Sequence, residues 1–507
     1  MYWLKLASFC LPLLGYVAIV YGAILPIEPE VKIIVAAMGF LMGGLTASAF
    51  QELERWWASL SDVYGSATFA TPREVKSAGM YQKEGVLLGR HGRRLLRFDQ
   101  PGHLLTLAPT RSGKGACGVI PNLLEYPGSV VTVDIKGENL AIAGRRRQAF
   151  GPVWKLAPFE TESSCFNPLD FMRDGEDAWE DAAMLAEMLV VPSGSEDAAF
   201  FESEARGLLT GIILYVATEV PKDRRNMAEV RRLITLSGRE LGAVVEQMRR
   251  ARHPVIRRTA GSFLQMADRL KASVLAQART HTAIWDSERV ARITARSDFS
   301  LEDLKEWPAS LFLVVPPEHL DVYRPLVRLI LGLAVRAMIR NTNRPKHNVL
   351  FLVDEFPALG GMKPLEEGVA YLAGYSVTLW LFAQDLGQLQ EVYGRERTRS
   401  IIANTNMQTF GTADADTAEM LSRMLGNETR RVRHKSKSRH SFIWPDYDRF
   451  NVGDGETGRP LLTPDEIRCL GDELELIFIR GMRPILARKV PYYSTWRYRG
   501  LWDKWQG

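Results

Sequence analysis

Three residues far apart in the chain have the types and settings that phosphate chemistry requires. Lys114 lies in the string LAPTRSGKG at residues 107–115, behind the apolar stretch HLLTLA (103–108) and ahead of ACGVIPNLL (116–124). A strand, a tight loop carrying Gly-Lys and a helix start aim backbone N–H groups and a helix N-terminus at phosphates, with the lysine reaching the terminal ones. The loop departs from GxxxxGK[ST] at two positions. Ala108 replaces the first glycine, and Gly115 replaces the residue whose hydroxyl normally touches Mg²⁺. Asp354 and Glu355 follow VLFLV (349–353), a run suited to a strand buried on both faces. Two adjacent carboxylates at such a strand end suit one on a magnesium ion and its neighbour polarising an attacking water. Gln384 closes a further apolar run, SVTLWLFA (376–383). Its amide is placed either to sense a terminal phosphate or to cap the following turn.

The elements that must position these groups alternate between strand and helix. VVTVDI (130–135), followed by KGEN, and SLFLVVP (310–316) read as two more core strands, so an α/β fold with a parallel, helix-covered sheet is expected. Between Lys114 and Asp354 lie about 240 residues, far more than a simple nucleotide-binding fold needs. An all-helical insertion over residues 172–298 accounts for the excess. Residues 170–206 hold eleven acidic and two basic side chains, a net charge of −9, whereas 222–258 hold eleven basic and four acidic, a net of +7. Solvated helix faces account for both. Alternatively the arginine pairs Arg224/Arg225, Arg231/Arg232 and Arg257/Arg258 touch a phosphate backbone without reading sequence. Residues 430–439 (RRVRHKSKSR) carry six Lys or Arg and no acid. They read as a loop, either an idle charged surface or an electrostatic path for nucleic acid or anionic lipid.

Composition narrows the class. A chain of 507 residues, 46% hydrophobic and 24% charged, has ample core and exceeds a single compact domain, which excludes disorder as its main state. The net charge of +5 is mild. Cys10, Cys117, Cys165 and Cys469 lie far apart without a CxxC pair, which argues against a zinc module or disulfide framework and fits a reducing compartment. At the N-terminus, 22 residues between Lys5 and Glu28 and 18 from position 33 to 50 carry no charge. Each run suffices to cross about 30 Å of hydrocarbon as a helix. A transmembrane hairpin is expected, in preference to a signal peptide or two buried core helices. Lys5, Arg55 and Arg73 flank the pair while Glu28 and Glu30 lie between its spans, which places both ends in the cytoplasm. Trp496, Trp502 and Trp505 near the C-terminus either dock a partner or pack onto the preceding fold.

In order along the chain stand YGSATFA, LAPTRSGKG, VTVDIKGEN, LFLVDEFPALG, LWLFAQDLGQL, RPLLTPDEIRCL and KVPYYS. Behind a two-span anchor this series resembles the TraG-like coupling proteins of type IV secretion and conjugation systems, over nearly the whole chain. In that family the phosphate loop commonly has glycine at the position of Gly115. The resemblance implies a RecA-like P-loop NTPase core split by a helical domain, a homo-hexameric ring with sites between subunits, and ATP with Mg²⁺ as cofactors. The division implied is a transmembrane anchor over 1–60, a nucleotide-binding domain over 61–171 and 299–507, and the insertion over 172–298. Carried over by position, Thr110, Arg111, Ser112, Gly113, Lys114, Gly115 and Ala116 cradle the phosphates. Lys114 neutralises them, Asp354 holds Mg²⁺, Glu355 activates water and Gln384 reports the γ-phosphate. Such rings need an arginine supplied in trans; Arg399 is the expected one, with Arg395 and Arg397 as rivals. The implied activity is that of an ATPase at the bacterial inner membrane. Its large cytoplasmic part would deliver single-stranded DNA, bound without sequence preference, with its relaxase, or effector proteins, to the secretion channel. An FtsK-like membrane-anchored DNA motor and a non-hydrolysing nucleotide-gated scaffold are the alternatives.

Overall fold

The computed structural model describes residues 63–192, 196–437 and 450–505, and the expected anchor over 1–60 lies outside them. Among the described residues no helix is long and apolar enough to cross a membrane. The chain divides into two units, residues up to Thr68 with Ser422–Thr463, and Phe69–Leu421 with Pro464 onward.

The larger unit is organised by strands β1 (Val86–His91), β2 (Arg94–Phe98), β3 (His103–Leu107), β4 (Val130–Asp134), β5 (Val153–Leu156), β6 (Ser310–Val314), β7 (Val349–Val353), β8 (Val377–Ala383) and β9 (Thr405–Thr409). The smaller unit contributes β10 (Asn427–Lys437) and β11 (Phe450–Pro460), and the larger ends with β12 (Leu474–Phe478) and β13 (Ile485–Arg488). One sheet runs β2-β1-β13-β12-β9-β3-β8-β7-β4-β6-β5. Its pairs from β9 to β5 are parallel, and those from β9 outward to β2 are antiparallel. The five strands expected from apolar runs are β3, β4, β6, β7 and β8, and every residue in them is buried. Helices cover parallel strands on both faces, so such strands admit apolar side chains all along their length. The Trp380 and Phe382 rings on β8 stack at 4.9 Å and join the core with Leu104, Val130, Phe312 and Leu350.

Between β5 and β6 every described element is helical. The helices Met227–Thr235 and Gly238–Arg249 start where capping predicts. The Asn226 side chain accepts from the Glu229 N–H, and Ser237 with Glu240 forms a capping box. The basic stretch is largely spent inside this region. Arg224 and Arg232 converge on the Glu229 carboxylate at 2.5 and 2.7 Å. Arg231 pairs with Asp286, Arg225 donates to the Val220 and Thr218 carbonyls, and Arg257 donates to those of Ala251 and Arg252. Five of the six paired arginines thus hold local structure, which favours the structural account of that charge run over a phosphate-tracking one.

In the smaller unit, β10 and β11 form an antiparallel hairpin in continuous register from Asn427↔Pro460 to Lys437↔Phe450. This corrects the loop expected over 430–439. Positions 430–437 are strand, and 438–439 lie outside the described residues. Tyr64 and Ala67 donate their N–H groups to the Thr429 hydroxyl and the Asn427 carbonyl, both at 3.0 Å, and so hold the segment before the hairpin to its first strand.

A chain of buried polar groups crosses the large sheet. The Trp380 indole donates to the Thr106 hydroxyl (2.7 Å), which donates to Gln408 Oε1 (2.9 Å), and Gln408 Nε2 donates to Glu475 Oε2 (2.7 Å). Glu475 fits because β1 has glycine beside it; a Cβ at Gly89 would lie 1.7 Å from Glu475 Oε1. Burial pushes the Glu475 carboxyl up to about 8, against the lowering effects of Gln408 and Lys489. The folded chain therefore keeps a proton that the unfolded chain releases near 4.5. Stability falls as pH rises across that window and levels off above it. Glu475→Gln should flatten this slope, melting higher relative to wild type at pH 8.5 than at pH 5 by about 2–4 °C or more. Parallel melting curves at the two pH values would show that Glu475 carries no such proton.

Candidate nucleotide site

Strands β3, β8 and β7 lie side by side, so their carboxyl ends bring three expected groups to one edge of the sheet. The Ala108 N–H donates to the Ala383 carbonyl (2.9 Å), which ties the start of the phosphate loop to the end of β8. The loop then turns through Arg111 at φ 63° and Gly113 at φ 93°. Positive φ costs glycine little, whereas a residue such as arginine must be held there. The Ser112 N–H closes this turn on the Pro109 carbonyl (3.1 Å). Residues Lys114–Val119 are wound as π-helix and lead into the α-helix Ile120–Glu125. Gly118 lets that first turn approach β8; a Cβ there would meet the Phe382 ring at 3.2 Å.

Lys114 Nζ lies 3.1 Å from Asp354 Oδ1 and bonds the Glu355 carboxylate as well. Gln384 Nε2 reaches Glu355 Oε2 at 3.4 Å, and the Thr110 hydroxyl donates to Gln384 Oε1 at 3.2 Å. Thr110, Lys114, Asp354, Glu355 and Gln384 therefore form one connected cluster. The side chains of Lys114, Asp354 and Glu355 keep exposures of 17%, 23% and 25%, enough for a ligand to reach them. Glu355 stands in the left-handed region at φ 52°, ψ 45°, with its N–H on Asp354 Oδ1 at 3.0 Å. A glutamate held in that conformation is a site of stored strain.

Electrostatics bind the cluster together. Burial disfavours the Lys114 ammonium, yet Asp354 and Glu355 raise its pKa above the ordinary lysine value, so it stays charged. Burial raises the Asp354 carboxyl and the neighbouring Glu355 adds to this, while Lys114 opposes both. The ammonium is thus the cation that works against both the burial of Asp354 and its repulsion by Glu355.

Not every expected residue joins. Arg399, on the kinked helix Leu386–Asn404, is exposed and turns its guanidinium to Glu396 at 3.1 Å on the same helix. Arg397 reaches Glu366 at 3.3 Å. Arg111, Ser112 and Gly113 lie in the loop itself, where the enclosed Ser112 hydroxyl has no partner, and Gly115 and Ala116 in the first turn of the π-helix.

A family model for Type IV secretory system Conjugative DNA transfer matches residues 57–504. The chain belongs to that family. Protein VirD4 of Agrobacterium fabrum is 30% identical over 461 residues, spanning 87% of this chain and 67% of that protein. Conjugal transfer protein TraG of Escherichia coli is 30% identical over 488 residues, spanning 86% of this chain and 76% of that one. Among solved structures, the unbound coupling protein TrwB superposes with a TM-score of 0.65 at 18% identity, covering 84% of this chain and 95% of that one. This likeness shows the α/β fold. TrwB has also been solved with the ATP analogue ADPNP and with ADP and Mg²⁺.

In this conjugative DNA-transfer family member the donors available to a divalent cation are few. Among the described residues no group of three or more His, Cys, Asp or Glu side chains converges. One half-buried carboxylate, with the remaining positions left to water and phosphate oxygens, is the pattern Mg²⁺ favours over all-protein cages, so Asp354 fits it. The absent loop hydroxyl is not a matter of space, since a Cβ at Gly115 would meet nothing within 4 Å. Gly115→Thr should therefore fold normally and lower the Mg²⁺ concentration needed for half-maximal ATP hydrolysis by about threefold or more, the added oxygen being a ligand. An unchanged Mg²⁺ midpoint would show that the coordination shell has no place for it.

Sequence reasoning missed the segment behind the loop. Lys489, 8% exposed, donates to the carbonyls of Ser112 (3.0 Å) and Phe410 (3.2 Å). The Tyr492 N–H donates to the Ala116 carbonyl (3.0 Å). The signal was the KVPYYS string itself, which holds both residues but by composition resembles any strand exit. Of the terminal tryptophans, one packs onto the fold and another is exposed. Trp502 packs edge-on against Tyr492 at 5.2 Å, whereas Trp496 is 86% exposed.

Proposed function

We propose that this protein is the coupling ATPase of a type IV secretion or conjugation system, moving substrate to the secretion channel by ATP hydrolysis. The observation that carries this is the Lys114–Asp354–Glu355–Gln384 cluster at the carboxyl ends of three adjacent parallel strands. Residues Thr110 to Ala116 bind the triphosphate through backbone N–H groups, and Lys114 exchanges its carboxylate partners for phosphate oxygens. Asp354 holds Mg²⁺, which when bound neutralises charge on the phosphates. Glu355 takes a proton from the attacking water. Gln384, bonded to Glu355 and through its N–H to Gln388 Oε1 at 3.1 Å, couples the γ-phosphate position to the helix Leu386–Asn404. Arg399 on that helix faces solvent, which suits a finger offered to the next subunit of a homo-hexameric ring.

The substrate is single-stranded DNA, bound through its backbone, with its relaxase, or effector proteins. The ring is anchored at the bacterial inner membrane by two spans within 1–60. The motor comprises 61–171 and 299–507, and the helical insertion 172–298 recruits substrate. The test is ATP hydrolysis by the full chain in lipid, with and without single-stranded DNA, beside Lys114→Ala. Stimulation by DNA that the variant lacks is expected. Silence of the wild type in lipid would instead favour a nucleotide-gated scaffold.

A further inference from the structure

The phosphate loop has a backing, and it comes from the far end of the chain. Lys489 follows β13 and lies buried behind the loop, its ammonium 4.7 Å from the Phe410 ring centre. An ammonium taken out of water is costly unless polar groups surround it. Here it meets two carbonyl oxygens, of Ser112 and Phe410, and the face of the Phe410 ring. Three residues further, the Tyr492 N–H meets the Ala116 carbonyl. The two contacts therefore fall on either side of Lys114, at Ser112 and at Ala116.

This placement matters because an anion-binding loop works by direction. Its N–H groups must face the phosphates and its carbonyl oxygens, which carry partial negative charge, must face away. The loop has alanine at 108 where GxxxxGK[ST] has glycine, and Arg111 is held at φ 63°, so its shape is not the relaxed one for its sequence. We propose that residues 489–492 act as a strap that positions the phosphate loop, Lys489 and the Tyr492 amide holding the Ser112 and Ala116 carbonyls turned away from the triphosphate. Lys489 is a positioning residue. It acts through Ser112 and touches no reacting atom. The proposal rests on the nucleotide-site reading given above.

The experiment uses full-length protein in lipid nanodiscs, titrated with a fluorescent ATP analogue and assayed for hydrolysis. Lys489→Met keeps an unbranched apolar stem as far as the ε position and removes both hydrogen bonds of the ammonium. Its Kd and KM should rise about tenfold or more, with kcat within about twofold of wild type. Lys489→Arg, which restores charge and donors, should recover most of the affinity. Should Lys489→Met fail to fold, Tyr492→Pro, which lacks the amide donor, should show the same rise in KM. A wild-type KM in whichever of the two variants folds would overturn the strap, as would a fall in kcat at unchanged KM. Wild type that binds no nucleotide overturns the nucleotide reading and the strap with it, whereas wild-type binding equalled by the folded variant overturns the strap alone.

Discussion

Glu355→Gln should lower ATP turnover by about a hundred- to ten-thousandfold while leaving ATP binding within a few-fold of wild type. Glutamine matches glutamate in size, and so can keep the left-handed backbone that Glu355 occupies and the contact with Gln384. It cannot accept a proton from water at neutral pH. Lys114 would lose one of its two anionic partners and keep Asp354 at 3.1 Å, so the ammonium remains charged and available to phosphates. Asp354 in turn would lose the neighbouring negative charge that helps raise its pKa, and would be the better held as a carboxylate. Binding and chemistry should therefore separate cleanly, which steady-state phosphate release beside equilibrium ATP binding measures. Full turnover by the variant would remove Glu355 from the role of base. Undiminished DNA transfer by it would count against a motor driven by hydrolysis.

Much of this site can be read in the sequence because Asp354, Glu355 and Gln384 follow directly on strands buried on both faces. Runs such as VLFLV leave no doubt about their burial, and the polar residues that end them, Asp354 and Glu355 after β7 and Gln384 after β8, are marked by contrast. Strand β9 carries no such mark. Its sequence TNMQT looks like a loop, and Gln408 can be buried there only because Thr106 and Glu475 satisfy its amide from strands that lie far off in sequence. Positions 430–437 were hidden for the opposite reason. Their density of charge reads as loop, and the pairing that makes them strand comes from β11, whose GDGETG also reads as turn. Arg399 illustrates a limit of another kind, since its ion pair with Glu396 on the same helix is what any solvated helix arginine makes, and nothing else in its own chain singles it out. Lys489 carries no mark either, because nothing near it in sequence shows that the phosphate loop covers it.

Lys114→Ala is expected to weaken ATP binding by about a hundredfold or more and to abolish hydrolysis. The loss goes beyond a missing phosphate contact. Lys114 is the cation between Asp354 and Glu355, and its removal leaves two carboxyls side by side with no positive charge to offset burial or mutual repulsion. Asp354, already raised by burial, would rise further. A carboxyl with a raised folded pKa binds a proton in the folded state that the unfolded chain has released, so its penalty is absent at low pH and grows as pH climbs to the folded value. Lys114→Ala should accordingly lose more thermal stability relative to wild type at pH 8 than at pH 5. The double variant Lys114→Ala/Glu355→Gln separates the two consequences. Removing the second negative charge should restore much of the stability at pH 8, yet ATP binding should stay as weak as in Lys114→Ala, because no cation has returned to the loop. If the double variant recovered ATP binding along with stability, carboxylate repulsion would account for the whole defect, and Lys114 would have no direct part in holding phosphate.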